Sequence, residues 1–136
     1  MTKAIAKFTL NGKSYPIEIK WSMAYSIFPK QYNIHLMTLF VEPEETQKTV
    51  ARILTDDSLA FDLCWFFLEK QVSYDFNKFL ELLDEEPDAI EQFREVFYGA
   101  MVNFSSPQKK GALKELWESL KREMKEFKIE QDTSSE

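Results

Sequence analysis

Along residues 6–19, AKFTLNGKSYPIEI, apolar and polar positions alternate, and no later stretch repeats that two-residue period. Alternation of this kind is the pattern of a half-buried β-strand. Asn11-Gly12 interrupts it midway, and Asn-Gly is the pair best suited to the two positive-φ positions of a type I′ turn. Pairing outward from that turn sets Phe8 against Tyr15 and Ala6 against Ile17 on one face. Thr9 against Ser14 and Lys7 against Pro16 then occupy the other. A lone hairpin is marginal in water, so the face carrying Ala6, Phe8, Tyr15, Ile17 and Ile19, extending to Trp21, is expected to rest on helices. Lys7 and Pro16 form a non-hydrogen-bonded pair. The missing Pro16 N–H therefore points away from the first strand, making the second an outer edge.

After Trp21 the period changes. SMAYSIF predicts a short helix capped by Ser22 and ended before Pro29, because the residue preceding proline is pushed out of the helical region. NIHLMTLFV (33–41) adds one or two turns. Pro43 opens PEETQKTVARIL with acids in its first turn, as the helix dipole favours; Thr46, Val50, Ile53 and Leu54 form its inner face. DDSLAFDLCWFFLEKQ (56–71) has Asp56 or Asp57 as its cap and Leu59, Ala60, Leu63, Cys64, Phe67 and Leu68 on one face. Trp65 and Phe66 lie on another side. A helix apolar almost all round is central or at an interface. Ser73 is the expected cap of YDFNKFLELL, with Phe76, Phe79, Leu80 and Leu83 inward. The helix of 87–104 repeats Ile90, Phe93, Phe97, Met101 and Phe104. Gly99 inside it costs about 1 kcal/mol against alanine and suggests close approach of a neighbouring helix. Ser106-Pro107 opens a last helix with Leu113, Leu116, Trp117, Leu120, Met124 and Phe127 inward and a partly paired charged face. The expected fold is α+β, mostly α: a β-hairpin head (4–21) packed on a body of about five or six helices (22–128). That makes one domain, 1–128, with a disordered tail over 129–136.

Composition supports a real core: 136 residues, 44% hydrophobic and 15% aromatic. Charge adds a polarity. Residues 1–40 hold five lysines and one acid, residues 41–100 five basic groups and fifteen acids, and residues 101–136 seven of each. Solvated helix faces explain most of this. The sharper reading is a molecule with a basic end and an acidic middle, suited to head-to-tail association or capture of a basic partner. Nucleic acid is not expected as a partner, because no long basic stripe exists. No apolar run reaches the 18 residues a membrane helix needs, and MTKAIAKF lacks the apolar core of an export signal.

Little chemistry can be assembled. Three glycines cannot build a phosphate loop. Cys64, the single cysteine, reads as a core thiol. His35 has no second ligand at a metal-like spacing. The acid groups Glu42/Glu44/Glu45, Asp56/Asp57 and Asp84/Glu85/Glu86/Asp88 sit beside prolines and caps, where helix electrostatics accounts for them; the last lacks EF-hand spacing. No catalytic, cofactor or metal residue is assigned and no cofactor is expected. What remains is surface: Trp21, Tyr25, Phe28, Trp65, Phe66 and Trp117 are the candidate partner-binding residues, since exposed aromatic clusters mark protein interfaces. Lys7 and Lys20 are the candidates for self-association through the basic head.

The head F-T-L-N-G-K-S-Y-P-I, followed by DDSLAFDLCWFFLEKQ and by FREVFYGAMVNFSSP ahead of a charged C-terminal helix, resembles the tail assembly chaperones of long-tailed (siphovirus-type) bacteriophages over residues 4–127. The resemblance implies a non-enzymatic protein. Such chaperones bind the long, apolar, helical tape measure protein, keep it soluble and help tail tube subunits polymerise around it. They act in the bacterial host cytoplasm and are absent from the mature virion. The resemblance further implies homo-oligomers and a frameshifted longer form that recruits the tail tube protein. A different class of function, an acidic phage or bacterial inhibitor or adaptor that binds a host protein, would need carboxylates spread along one face. A small hydrolase would need a supporting shell around His35 or an acid pair in a cleft.

Overall fold

In a computed structural model the backbone is described for residues 6–134 and the side chains for residues 6–125. The architecture is α+β and mostly α. An antiparallel hairpin, β1 (Ala6–Leu10) and β2 (Lys13–Ile17), leads into a π-helix (Met23–Tyr32) and a single 3-10 turn (Leu36–Thr38). Five α-helices follow: α1 (Pro43–Thr55), α2 (Asp57–Leu68), α3 (Phe76–Glu85), α4 (Ala89–Phe104) and α5 (Pro107–Ser134). The two strands form a sheet of their own.

The hairpin has the register that its turn dictates: Ala6 faces Ile17, Lys7 faces Pro16, Phe8 faces Tyr15 and Thr9 faces Ser14. Asn11 and Gly12 both have positive φ, 53° and 76°, as a type I′ turn requires. The Thr9 and Ser14 hydroxyls meet at 3.0 Å on the outer face. Phe8, Leu10, Ile17 and Ile19 are buried, whereas Trp21 lies outside that face at 68% exposure. The hairpin lies along α4, where Phe8 meets Phe93 edge to face at 5.6 Å. The close approach at Gly99 is to Ala6 of β1, not to another helix. The Pro16 carbonyl, turned away from β1, accepts a hydrogen bond from Gln71 Nε2 at 3.2 Å.

The segment around Pro29 differs from expectation. The helix does not stop before Pro29 but runs through it to Tyr32, and Ser22 makes no side-chain cap. In an α-helix the proline ring strikes the carbonyl four residues back. A π-helix bonds five residues back instead, and its wider turn relieves that contact. The segment closes at Asn33, whose φ of 54° is left-handed, and Ile34 N–H donates to the Phe28 carbonyl at 3.1 Å. Arg52 of α1 then donates to the Tyr32 and Asn33 carbonyls at 3.1 and 3.0 Å. A cation is thereby set at the electronegative helix end.

Asp56 caps α2, accepting from Leu59 N–H at 3.1 Å. Asp75 and not Ser73 caps α3, accepting from Lys78 N–H at 3.0 Å. The inner faces of α1 and α2 follow their periodicity, and in α4 Phe93, Phe97 and Met101 are buried while Ile90 and Phe104 are half-buried. In α3, Phe79, Leu82 and Leu83 are buried while Phe76 and Leu80 remain 38% and 36% exposed. In α5, Leu113, Trp117 and Leu120 are buried; Phe127 lies outside the described side chains. The α5 backbone is helical to Ser134, past the boundary expected at 128. One core joins hairpin and helices, with Phe28 at its centre against Phe66, Phe67 and Phe97 at 5.8, 6.2 and 6.1 Å.

Candidate functional site

The candidate aromatics divide by location. Phe28 and Trp117 are fully buried, so they are core residues and not surface anchors. Phe28 falls on the inward stripe of the π-helix with Ala24 and Tyr32. Trp117 stacks on Tyr98 with ring centroids 4.7 Å apart, and its buried Nε1–H has no hydrogen-bond partner among the described residues. Phe66 is half-buried between Phe28, Tyr32 and Phe67. Trp65 is half-buried among Tyr74, Phe76 and Phe79. This second cluster joins α2 to α3 and leaves part of Phe76 exposed.

Trp21 and Tyr25 are the two that stand in solvent, 68% and 76% exposed. They lie four residues apart on the outward stripe of the helical segment. Trp21 packs on Phe104 at the end of α4, with centroids 4.8 Å apart. Phe104 was assigned inward by its periodicity; it is half-buried and extends the aromatic surface. Lys20 adjoins this patch and is exposed, whereas Lys7 lies on the outer face of the hairpin opposite Pro16.

Several of the acids are employed in the fold. Asp56 and Asp75 cap helices. Glu86 Oε2 accepts the Asn11 N–H of the hairpin turn at 2.8 Å, tying the head to the α3–α4 junction. Asp57 and Glu91 pair with Arg94, the former at 2.6 Å. Arg94 is 4% exposed and also donates to the Ile53 carbonyl at 2.9 Å. It joins the end of α1, the start of α2 and the body of α4. Sequence reading missed it, because a single arginine in a helix carries no sign of partners 37 and 41 residues away.

Two open cavities bear on chemistry. One, of about 260 Å³, is lined by His35, Glu42, Glu45, Thr46 and Thr49. Its His35 Nε2 lies 2.9 Å from the Asn33 amide oxygen, which orients the ring, and neither Glu42 nor Glu45 is bonded to it. Another, of about 600 Å³, runs between α4 and α5. Its charges answer one another, with Lys121 Nζ and Glu95 Oε1 2.6 Å apart. Among the described residues no group of three His, Cys, Asp or Glu side chains is gathered as a metal site. Cys64 is buried, and burial pushes its thiol well above the usual range, which withholds the reactive thiolate. No helix among the described residues is long and apolar enough to cross a membrane. No protein-family model matches the sequence, and no curated protein or solved structure matches it.

Proposed function

We propose that this protein is a non-enzymatic tail assembly chaperone of a long-tailed bacteriophage. It would bind the tape measure protein in the host cytoplasm, hold it soluble and promote tail tube assembly around it. The observation that carries the reading is the solvent-facing aromatic surface of Trp21 and Tyr25 beside Phe104. Large exposed aromatics on a charged exterior are the anchors expected for an apolar helical partner. The resemblance of the hairpin head and acidic helical body to that family supplies the identity of the partner. A longer frameshifted form would bring the tail tube protein.

The alternative, an acidic inhibitor or adaptor for a host protein, is less well supported. Its carboxylates would need to line one face, and here Asp56, Asp75, Asp57, Glu86 and Glu91 are engaged in caps and internal pairs.

Co-expression with the tape measure protein of the same genome tests the proposal. The chaperone should keep tape measure fragments soluble and co-purify with them. Trp21→Ala with Tyr25→Ala should reduce the recovered complex at least about tenfold, since exposed aromatic anchors contribute ~2 kcal/mol or more. A wild-type chain that retains no tape measure fragment overturns the reading.

A further inference from the structure

Helices α2 and α3 meet through large rings, and the rings leave a groove between them that opens to solvent. Trp65 of α2 lies 5.7 Å from Phe76 and 5.3 Å from Phe79 of α3, measured between ring centroids. Phe79 is fully buried, whereas Phe76 and Leu80 stay exposed. These two are four residues apart and so share one face of α3. Phe61, one turn before Trp65, is half-buried. Together with Leu80, Pro87 and Ile90 it lines a cleft of about 490 Å³, which carries the groove on toward the start of α4. From Phe76 to Asp84 the outward stripe of α3 covers two turns, about 12 Å at roughly 1.5 Å per residue. An exposed apolar floor with polar residues around it is the usual form of a docking site.

The rim of the groove carries one sign of charge. Asp57, Asp84, Glu86 and Glu91 line the cleft, and among the described residues no lysine or arginine does. Buried Arg94 pairs with Asp57 and Glu91, so it offsets only one of the four. Glu86 accepts the Asn11 N–H, a neutral donor that leaves its charge in place. Asp84 joins no ion pair among the described residues, and neither do Glu85 and Asp88, which stand exposed beside the cleft. Helix electrostatics does not account for these three, contrary to the sequence expectation. Asp84 and Glu85 fall in the last turn of α3, which holds no basic residue, and there the helix dipole disfavours an acid. Asp88 precedes α4 but makes no side-chain cap. Three carboxylates that the fold leaves uncompensated border one apolar groove.

We propose that this groove is a docking site for a cationic amphipathic helix of a partner protein. Its apolar side chains sit on Phe61, Trp65, Phe76 and Leu80, and its lysines or arginines face Asp84, Glu85 and Asp88. Two exposed turns of α3 match partner anchors at i, i+4 and i+7, the spacing by which a helix fills a groove. Opposite charge at the rim selects the partner and sets its direction. The surface of Trp21 and Tyr25 is built from other residues and has Lys20 beside it, so the two surfaces take segments of different charge. The inference does not rest on the chaperone reading, and it uses neither Trp21, Tyr25 nor Phe104.

Fluorescence anisotropy of a labelled peptide with the full chain tests it. The peptide is an amphipathic helix of about 18 residues, long enough to become helical on binding, with leucine on one face and lysine on the other. One control keeps the lysines and replaces leucine by serine. Another keeps the leucines and replaces lysine by glutamate. The leucine–lysine peptide should bind at least about tenfold more tightly than either control, and salt should weaken it by screening. Phe76→Ser with Leu80→Ser should cost at least about tenfold in affinity, with helix content unchanged by circular dichroism. Asp84→Lys with Asp88→Lys, at exposed positions, should reverse the preference, so that the glutamate peptide binds the more tightly. Trp21→Ala with Tyr25→Ala should leave the affinity as it is. Equal binding of the leucine–lysine and serine–lysine peptides means attraction by charge alone and overturns the proposal. So does binding that is lost in the Trp21 and Tyr25 variant and kept in both groove variants, which moves the site to the other surface. A groove filled by a second copy overturns it as well; the peptide-free chain would then sediment as a species that Phe76→Ser with Leu80→Ser makes smaller.

Discussion

Arg94 does more for this fold than its neighbours suggest, because it satisfies three acceptors on three elements from a buried position. Arg94→Met should lower stability by about 1–3 kcal/mol. The exposed Asp57 and Glu91 carboxylates can rehydrate, but the Ile53 carbonyl loses its donor. Lysine should recover only part of the loss, since one ammonium cannot reproduce the planar fork. Urea midpoints at constant slope read both variants. Gly99→Ala should act in the other direction. The added methyl would meet the Ala6 Cβ at 3.7 Å, an ordinary contact, so the helix gains roughly 0.5–1 kcal/mol of propensity. A fall in midpoint would mean that the hairpin needs the glycine. The same scale exposes what residue type alone cannot tell. Phe28 and Trp117 both read as surface candidates, yet both are fully buried. The periodicity of α5 already places Trp117 inward, whereas the burial of Phe28 depends on a helical segment that runs on through Pro29.

Among the elements, the hairpin was the most legible, since Asn11-Gly12 sets turn, register and buried face together. The π-helix was the least. The rule that proline ends a helix assumes α geometry, and the chain keeps Pro29 by widening the turn. Ser73 was misread as a cap for a different reason: Asp75, two residues on, is an equally good acceptor and sits where α3 begins. Capping residues compete locally, and the tertiary path of the chain decides among them. Phe8 tests how far the hairpin depends on the helices. It is fully buried and meets Phe93 on α4, so Phe8→Ala should cost about 3–5 kcal/mol. Because the strands are marginal alone, amide exchange should accelerate across both strands together while α1 and α2 retain more protection. Uniform loss in every element would indicate instead that hairpin and helices open as one unit.

For the molecule as a whole, the basic first forty residues and the acidic middle are visible in the charge count, whereas the packing of the hairpin of the first along α4 of the second needed the fold. A second global property follows from groups that the sequence does not connect. Burial raises Cys64, and burial, then the Tyr15 hydrogen bond, raises Tyr74 to about 12. Tyr32 and Tyr98 are raised chiefly by burial, with nearby carboxylates adding to it, and Lys121 by its hydrogen bond to Glu95. Every one of these shifts is upward, so the folded chain holds its protons to higher pH than the unfolded chain. Stability falls wherever the folded state binds more protons. The contribution is therefore complete below pH 9.0, the ordinary value for the thiol, and is lost as pH rises through 10 toward about 12. Thermal unfolding followed by circular dichroism should give a midpoint that declines progressively across that window. Cys64→Ala removes the group with the lowest ordinary value, so its decline should begin about one unit later, near the phenol value of 10.0. A midpoint that rises above pH 9, or an onset that Cys64→Ala leaves unmoved, would contradict the assignment of these groups to the interior.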